Sequence, residues 1–135
     1  MNKITIQQQA EAQWTAVGAA RNLVCPVRTT LNVLGGKWKL LTISYLLDES
    51  RRYGELRRLM PEITEKMLIQ ELRELETDGI VVRTVHQTVP PRVDYSLTDQ
   101  GQRVRPFFAE LLGWGLQYLE RNGGCTFVDA TAAGV

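Results

Sequence analysis

Histidine and cysteine are scarce in this chain. His86 is the single histidine, and Cys25 and Cys125 are the two cysteines, far apart in sequence. They form no CxxC and no Cys/His spacing of a zinc site, so neither metal nor cofactor is expected. GxSxG, GxGxxG and Walker-type loops are missing. A Ser-His-Asp arrangement would have only His86 to use, so the chain reads as a non-enzyme. No apolar run approaches the roughly 18 residues that a membrane span needs. Residues 1–12 are rich in Gln and Glu and lack the basic start and apolar stretch of a secretory signal, which points to the cytoplasm. No charge of one sign dominates. Sixteen Lys+Arg against fifteen Asp+Glu leave +1 over 135 residues, so a polyanionic partner has to meet a local patch.

What is present is the composition of a globular domain, 44% apolar and 23% charged. Residues 3–20 read as a weak helix whose thin apolar face needs a partner. A second helix is expected over 26–34, opening on Pro26 and stopped by Gly35-Gly36. A core helix follows over 37–47. Arg51-Arg52-Tyr53 reads as a short basic link, and 54–60 as a short helix with Arg57 and Arg58 outward. Pro61-Glu62 turns the chain. Thr64 caps a helix to about residue 78, with Leu68, Leu72 and Leu75 at i, i+4, i+7 and Gly79 closing it. The period then changes to two. Residues 80–85 and 93–97 read as strands of a hairpin whose turn is Val89-Pro90-Pro91-Arg92. Thr98 caps a last helix over 99–121, kinked or divided at Pro106. Residues 122–135 read as a loose tail.

A short helix, a tight turn, a capped helix and then a hairpin make a winged helix-turn-helix, mainly α with a β-hairpin wing (α+β). If the three leucines face inward, Thr64, Glu65, Lys66, Met67, Gln70 and Arg73 face solvent. Gln70 suits adenine, Lys66 suits guanine, and Thr64 at the helix N-terminus suits a phosphate. Arg51, Arg52, Arg57 and Arg58 frame the same side as phosphate ligands, and Arg92 in the wing reaches a minor groove. The blander alternative is a solvated face diluted by Glu65, Glu71, Glu74 and Glu76, in a winged helix that binds only protein. His86 reads as a hairpin residue rather than a catalyst.

Particular strings sharpen this reading. Cys25-Pro26-Val27, Leu34-Gly35-Gly36-Lys37-Trp38, Arg52-Tyr53-Gly54-Glu55-Leu56, Leu72-Arg73-Glu74-Leu75-Glu76 with Asp78-Gly79, and Pro90-Pro91-Arg92-Val93-Asp94-Tyr95-Ser96-Leu97-Thr98 with Gly101 stand in this order. Together they resemble the HxlR-type helix-turn-helix regulators, which are MarR-like bacterial transcription factors. The resemblance runs from Cys25 to about Arg121. It implies a homodimer on a pseudo-palindromic operator in double-stranded DNA, joined through N- and C-terminal dimerisation helices. The expected organisation is an extension over 1–24, a DNA-binding core over 25–98, a dimerisation helix over 99–121 and a tail over 122–135. The expected function is a repressor.

Two switches are open to such a regulator. Cys25 precedes a helix that opens on Pro26, the N-cap position, where the dipole and Arg21 and Arg28 favour a thiolate. Several family members look like thiol-based sensors with a cysteine at this place, which implies an oxidant or electrophile sensor at Cys25. A cysteine between Val24 and Val27 can equally be buried and inert. Cys125 is either a resolving partner or an incidental thiol. The alternative switch is a small-molecule effector. Trp38, Tyr45, Phe107, Phe108 and Trp114 either form core and dimer interface or line its pocket.

Overall fold

The computed structural model describes Gln8 and residues 24–124, and the chain divides between Gly35 and Gly36 into two units. The expected helix over 3–20 (Gln8 apart), Cys125 and all but the start of the expected tail lie outside the described residues. In the first unit, α1 spans Val24–Leu34. It begins two residues before the expected Pro26. Thr30 Oγ1 donates back to the Pro26 carbonyl at 2.9 Å, and the Gly35 N–H donates to Leu31 O at 2.7 Å, closing the last turn.

The second unit carries the rest. Its helices are α2 (Lys39–Leu46), α3 (Tyr53–Leu59), α4 (Glu65–Thr77), α5 (Asp99–Gln102) and α6 (Arg105–Arg121), and its strands are β1 (Arg51–Arg52), β2 (Val81–His86) and β3 (Arg92–Leu97). The strands form one antiparallel sheet in the order β1-β3-β2. The expected hairpin is there. The expected basic link is a strand instead: Arg51 and Arg52 pair with Tyr95 and Asp94. Two residues give no periodicity to read, and β1 exists only through its partner.

The core joins Ile43 and Leu46 of α2, Leu56 of α3 and Leu68, Leu72 and Leu75 of α4. Val81 extends it into the sheet. These positions repeat at helical spacing in α4 because one stripe of that helix meets its neighbours and the remainder meets water. Thr64 caps α4 as expected, its Oγ1 accepting from the Met67 N–H at 3.1 Å. Gly79 ends it with φ +76. The Gly79 N–H reaches Glu76 O at 3.1 Å and the Ile80 N–H reaches Leu75 O at 2.9 Å, a Schellman arrangement that satisfies two terminal carbonyls. Ile80 and Leu75, which this geometry brings together, are both buried.

Thr98 ties the end of the hairpin to the next helix. Its Oγ1 donates to Gly79 O at 2.6 Å and accepts from the Gly101 N–H at 3.0 Å. The single last helix expected from the sequence is two. The break falls at Arg103-Val104, and Pro106 sits in the first turn of α6, where its missing N–H has no intrahelical acceptor to lose. Arg105 fastens α6 to the end of α2 by donating to Leu47 O and pairing with Asp48 at 3.2 Å.

One lysine enters this apolar interior. Lys39 is buried, and its Nζ pairs with Glu74 of α4 at 2.7 Å. Glu71 lies beside the same lysine. Burial raises its carboxyl above the ordinary range, against the opposing pull of Lys39, and its Oε2 has no hydrogen-bond partner. Among the described residues no helix is long and apolar enough to cross a membrane.

Two outcomes follow from this packing. A Cβ on Gly101 would run into the Ile80 carbonyl oxygen and press on the Leu97 side chain. Gly101→Ala is therefore expected to lower unfolding free energy by about 1–3 kcal/mol in urea denaturation. A carboxyl whose pKa is raised on folding weakens the fold once it ionises. The penalty is absent below the unfolded glutamate value of about 4.3 and complete above the folded one. Glu71→Gln is expected to raise the urea midpoint at pH 7, with the gain shrinking as pH falls through the folded value and gone by about pH 4.

Candidate nucleic-acid interface

The turn between α3 and α4 is fixed from inside. Ile63 is buried, its N–H donates to Met60 O at 3.3 Å, and its carbonyl accepts from Arg57 Nη1 at 2.5 Å. Arg57, expected outward, is thus half-buried and spends a donor on the turn. Arg58 is exposed. Thr64 follows as the cap, and Glu65, Lys66, Met67, Gln70 and Arg73 are all exposed, with Lys66, Gln70 and Arg73 opposite the buried leucines. Lys66 and Arg73 make no ion pair or hydrogen bond among the described residues. The Gln70 amide donates to Glu74 at 3.0 Å. The hydrogen bonds from Gln70 and from Lys39 hold the Glu74 carboxyl below the usual range.

The two arginines of β1 differ. Arg51 Nε donates to Tyr45 O at 2.8 Å, and its Nη1 lies 3.1 Å from Glu49 and 3.8 Å from Glu55. Arg52 has an exposed side chain, while its backbone N–H donates to Glu55 Oε1 at 3.2 Å and so opens α3. The register of β1 on β3 sets Arg52 opposite Asp94.

The wing holds a second charged group. Arg92, expected in the turn, is the first residue of β3 and pairs with His86. Its Nε lies 3.5 Å from Asp94 Oδ1 and is buried without a hydrogen bond. His86 Nε2 donates to Asp94 Oδ2 at 2.9 Å, so Asp94 stands between the two. This cluster is invisible until the register is known, because it joins residues across the hairpin.

Between α4 and the sheet lies a cleft of about 570 Å³, lined by Tyr53, Ile69, Arg73, Glu76, Arg83 and Tyr95 among others. Burial pushes the Tyr53 hydroxyl up, with Glu65 adding to it, and the hydroxyl oxygen has no hydrogen-bond partner. Tyr53 and Arg83 escape the sequence reading. Strand alternation from buried Val81 offers the one signal for Arg83, since it sets both on the same face.

The expected aromatic pocket separates into two places. Trp38 and Tyr45 line a mainly apolar cavity of about 330 Å³ with Leu41, Met60 and Pro61, against the helix-turn-helix turn. Phe107, Phe108 and Trp114 lie on α6 and do not line it. Phe107, Leu111, Trp114 and Tyr118 form one exposed row of α6, with Trp114 stacked on Tyr118 at 5.2 Å. Cys25 is an exposed free thiol. It is the second residue of α1 as described and not the N-cap, because the helix starts before Pro26.

Comparison with known proteins agrees with this architecture. The family model described as HxlR-like helix-turn-helix matches residues 33–123. The HTH-type transcriptional regulator YdeP of Bacillus subtilis is 46% identical over 97 residues, covering 72% of this chain and 76% of that protein. The structure of the redox regulator HypR in its oxidized form shares 47% identity with a TM-score of 0.66, covering 69% of this chain and 96% of that one. The crystal structure of the HTH-type transcriptional regulator YtcD of Bacillus subtilis gives 45% identity and a TM-score of 0.67, covering 70% and 96%. A winged helix-turn-helix matched over its full extent, with relatives this similar, makes the chain a member of the HxlR-like helix-turn-helix family.

Proposed function

We propose that the protein is a homodimeric, sequence-specific DNA-binding repressor that reads a pseudo-palindromic operator. The observation that carries this reading is the row Lys66, Gln70 and Arg73, exposed on a capped helix whose opposite side is buried leucine. Such a helix lies in the major groove, with Lys66 toward guanine and Gln70 toward adenine. Thr64, Glu65, Met67 and Arg52 border that contact, and Arg92 meets the flanking backbone or minor groove from the wing. Arg51, more tied to the protein, adds positive field near the same strand. The exposed row of α6 supports dimerisation through that helix, since apolar rows of this kind mark protein contacts. Residues 1–24 serve the same interface, 25–98 bind DNA, and 122–135 form a tail.

The switch in this reading is Cys25. Its exposure supports reaction with oxidants and electrophiles, and so does similarity to HypR, which is described as a redox regulator. Cys125 acts as the resolving thiol. A second reading has its own observation: the cavity at Trp38 and Tyr45 adjoins the turn that opens the recognition helix, so an apolar effector there acts without thiol chemistry.

Fluorescence anisotropy on DNA from the protein's own promoter region tests the DNA-binding and thiol readings. Reduced protein is expected to bind, diamide to release it, and Cys25→Ser to stay bound. Release of Cys25→Ser by diamide, or binding that persists in the wild type, overturns the thiol reading. Arg92→Ala is expected to weaken binding and lower the salt slope by about 1, and Lys66→Ala to lose base discrimination. Affinity flat in salt and unchanged in both variants points instead to a protein-interaction module.

A further inference from the structure

Gln70, read above as a base reader, is not left to turn at random. Its Nε2 donates to Glu74 Oε1 at 3.0 Å. Only the NH2 of a carboxamide can donate to a carboxylate, so this bond selects one of the two amide orientations. Glu74 is anchored in its turn. Its Oε2 lies 2.7 Å from Lys39 Nζ, and the lysine side chain is 10% exposed against 41% for the glutamate.

A Glu–Gln pair one turn apart on a helix surface is ordinarily weak, and so is an exposed ion pair. The anchor here is different because Lys39 is rooted in the scaffold helix α2 rather than in α4 itself. A buried lysine demands a partner, and an aliphatic chain would fill the same place without one. Glu71, beside the same lysine, does not satisfy that demand: its Oε2 has no hydrogen-bond partner. The lysine is therefore committed to Glu74, with one carboxylate oxygen on Lys39 and the other on Gln70.

We propose that Lys39 and Glu74 are positioning residues for base recognition, and that the chain Lys39–Glu74–Gln70 orders the Gln70 carboxamide before DNA arrives. With one N–H given to Glu74, Gln70 keeps one N–H and its carbonyl oxygen. That donor–acceptor pair matches N7 and N6 of adenine in the major groove. The inference rests on the reading of Gln70 as a base reader.

Duplexes selected by the full chain from a randomised pool supply its preferred site. Single-base variants of that site are then titrated against Gln70→Ala, Glu74→Ala, Lys39→Met and the Gln70→Ala/Glu74→Ala double variant. Gln70→Ala is expected to cut discrimination at one base pair about tenfold. Glu74→Ala is expected to cut it at the same base pair by about threefold or more, while overall affinity holds or rises as a negative charge leaves the interface. In the Gln70→Ala background, Glu74→Ala is expected to change nothing further at that base pair. Lys39→Met is expected to cut discrimination at that same base pair as Glu74→Ala does, but without the gain in affinity, because the Glu74 charge stays. Should it fail to fold, Glu74→Ala and the double variant decide.

Full discrimination in Glu74→Ala, alongside a loss in Gln70→Ala, overturns the positioning role and leaves the base reader standing. A loss spread over every base pair, or one that persists in the Gln70→Ala background, also overturns it. Full discrimination in Gln70→Ala overturns the base reader itself and the inference with it.

Discussion

The burial of Leu68, Leu72 and Leu75 in the core, beside the start of the sheet, orients α4. Once those three side chains are inside, the helical repeat leaves no choice about where Lys66, Gln70 and Arg73 go. The termini are settled by local chemistry: Thr64 at the start, Gly79 and Ile80 at the end. Apolar burial supplies most of the driving force, and the caps fix the length over which it acts. A helix defined this tightly can offer a row of polar side chains as a rigid surface.

A chain with almost no net charge sorts its cations into two groups. Arg51, Arg57, Arg105 and Lys39 turn inward or sideways to carbonyls and carboxylates, where they hold turns and helix ends together. Lys66 and Arg73 keep theirs on the outside. The residue type is a poor guide to which group a given cation belongs to. What decides is whether a backbone carbonyl or a carboxylate lies within reach after folding.

That distinction explains what the sequence makes legible. The Thr64 and Thr98 caps, the glycine stops, the leucine stripe and the two strands of the hairpin are local, and each appears in the structure as read. Most of the losses are contacts between distant residues. β1 is two arginines that become a strand only against Tyr95 and Asp94. His86, read as a hairpin residue, meets Asp94 across a register that no single strand encodes. Arg57 reads as outward by helix periodicity until the Ile63 carbonyl folds back onto it. Lys39 sits in a segment that reads as apolar on most sides, and nothing nearby announces its partner on α4. The helix break at Arg103-Val104 lies just before the expected point at Pro106, because proline is best accommodated in a first turn. The start of α1 ahead of Pro26 likewise moves Cys25 from cap to helix.

The pairing of β1 with β3 reaches further than its two residues suggest. β1 runs directly into α3, whose first turn is opened by the Arg52 N–H, while β3 is one side of the wing. The wing is therefore bolted to the first helix of the helix-turn-helix through a covalent peptide on one side and a sheet ladder on the other. It does not hang from α4 alone, as a simple hairpin after a helix would. Wing and recognition helix consequently keep a fixed angle, like two jaws cut from one block. In the proposed dimer of such blocks, the adjustable quantity would be the distance and tilt between them, and the proposed switch would have to work there.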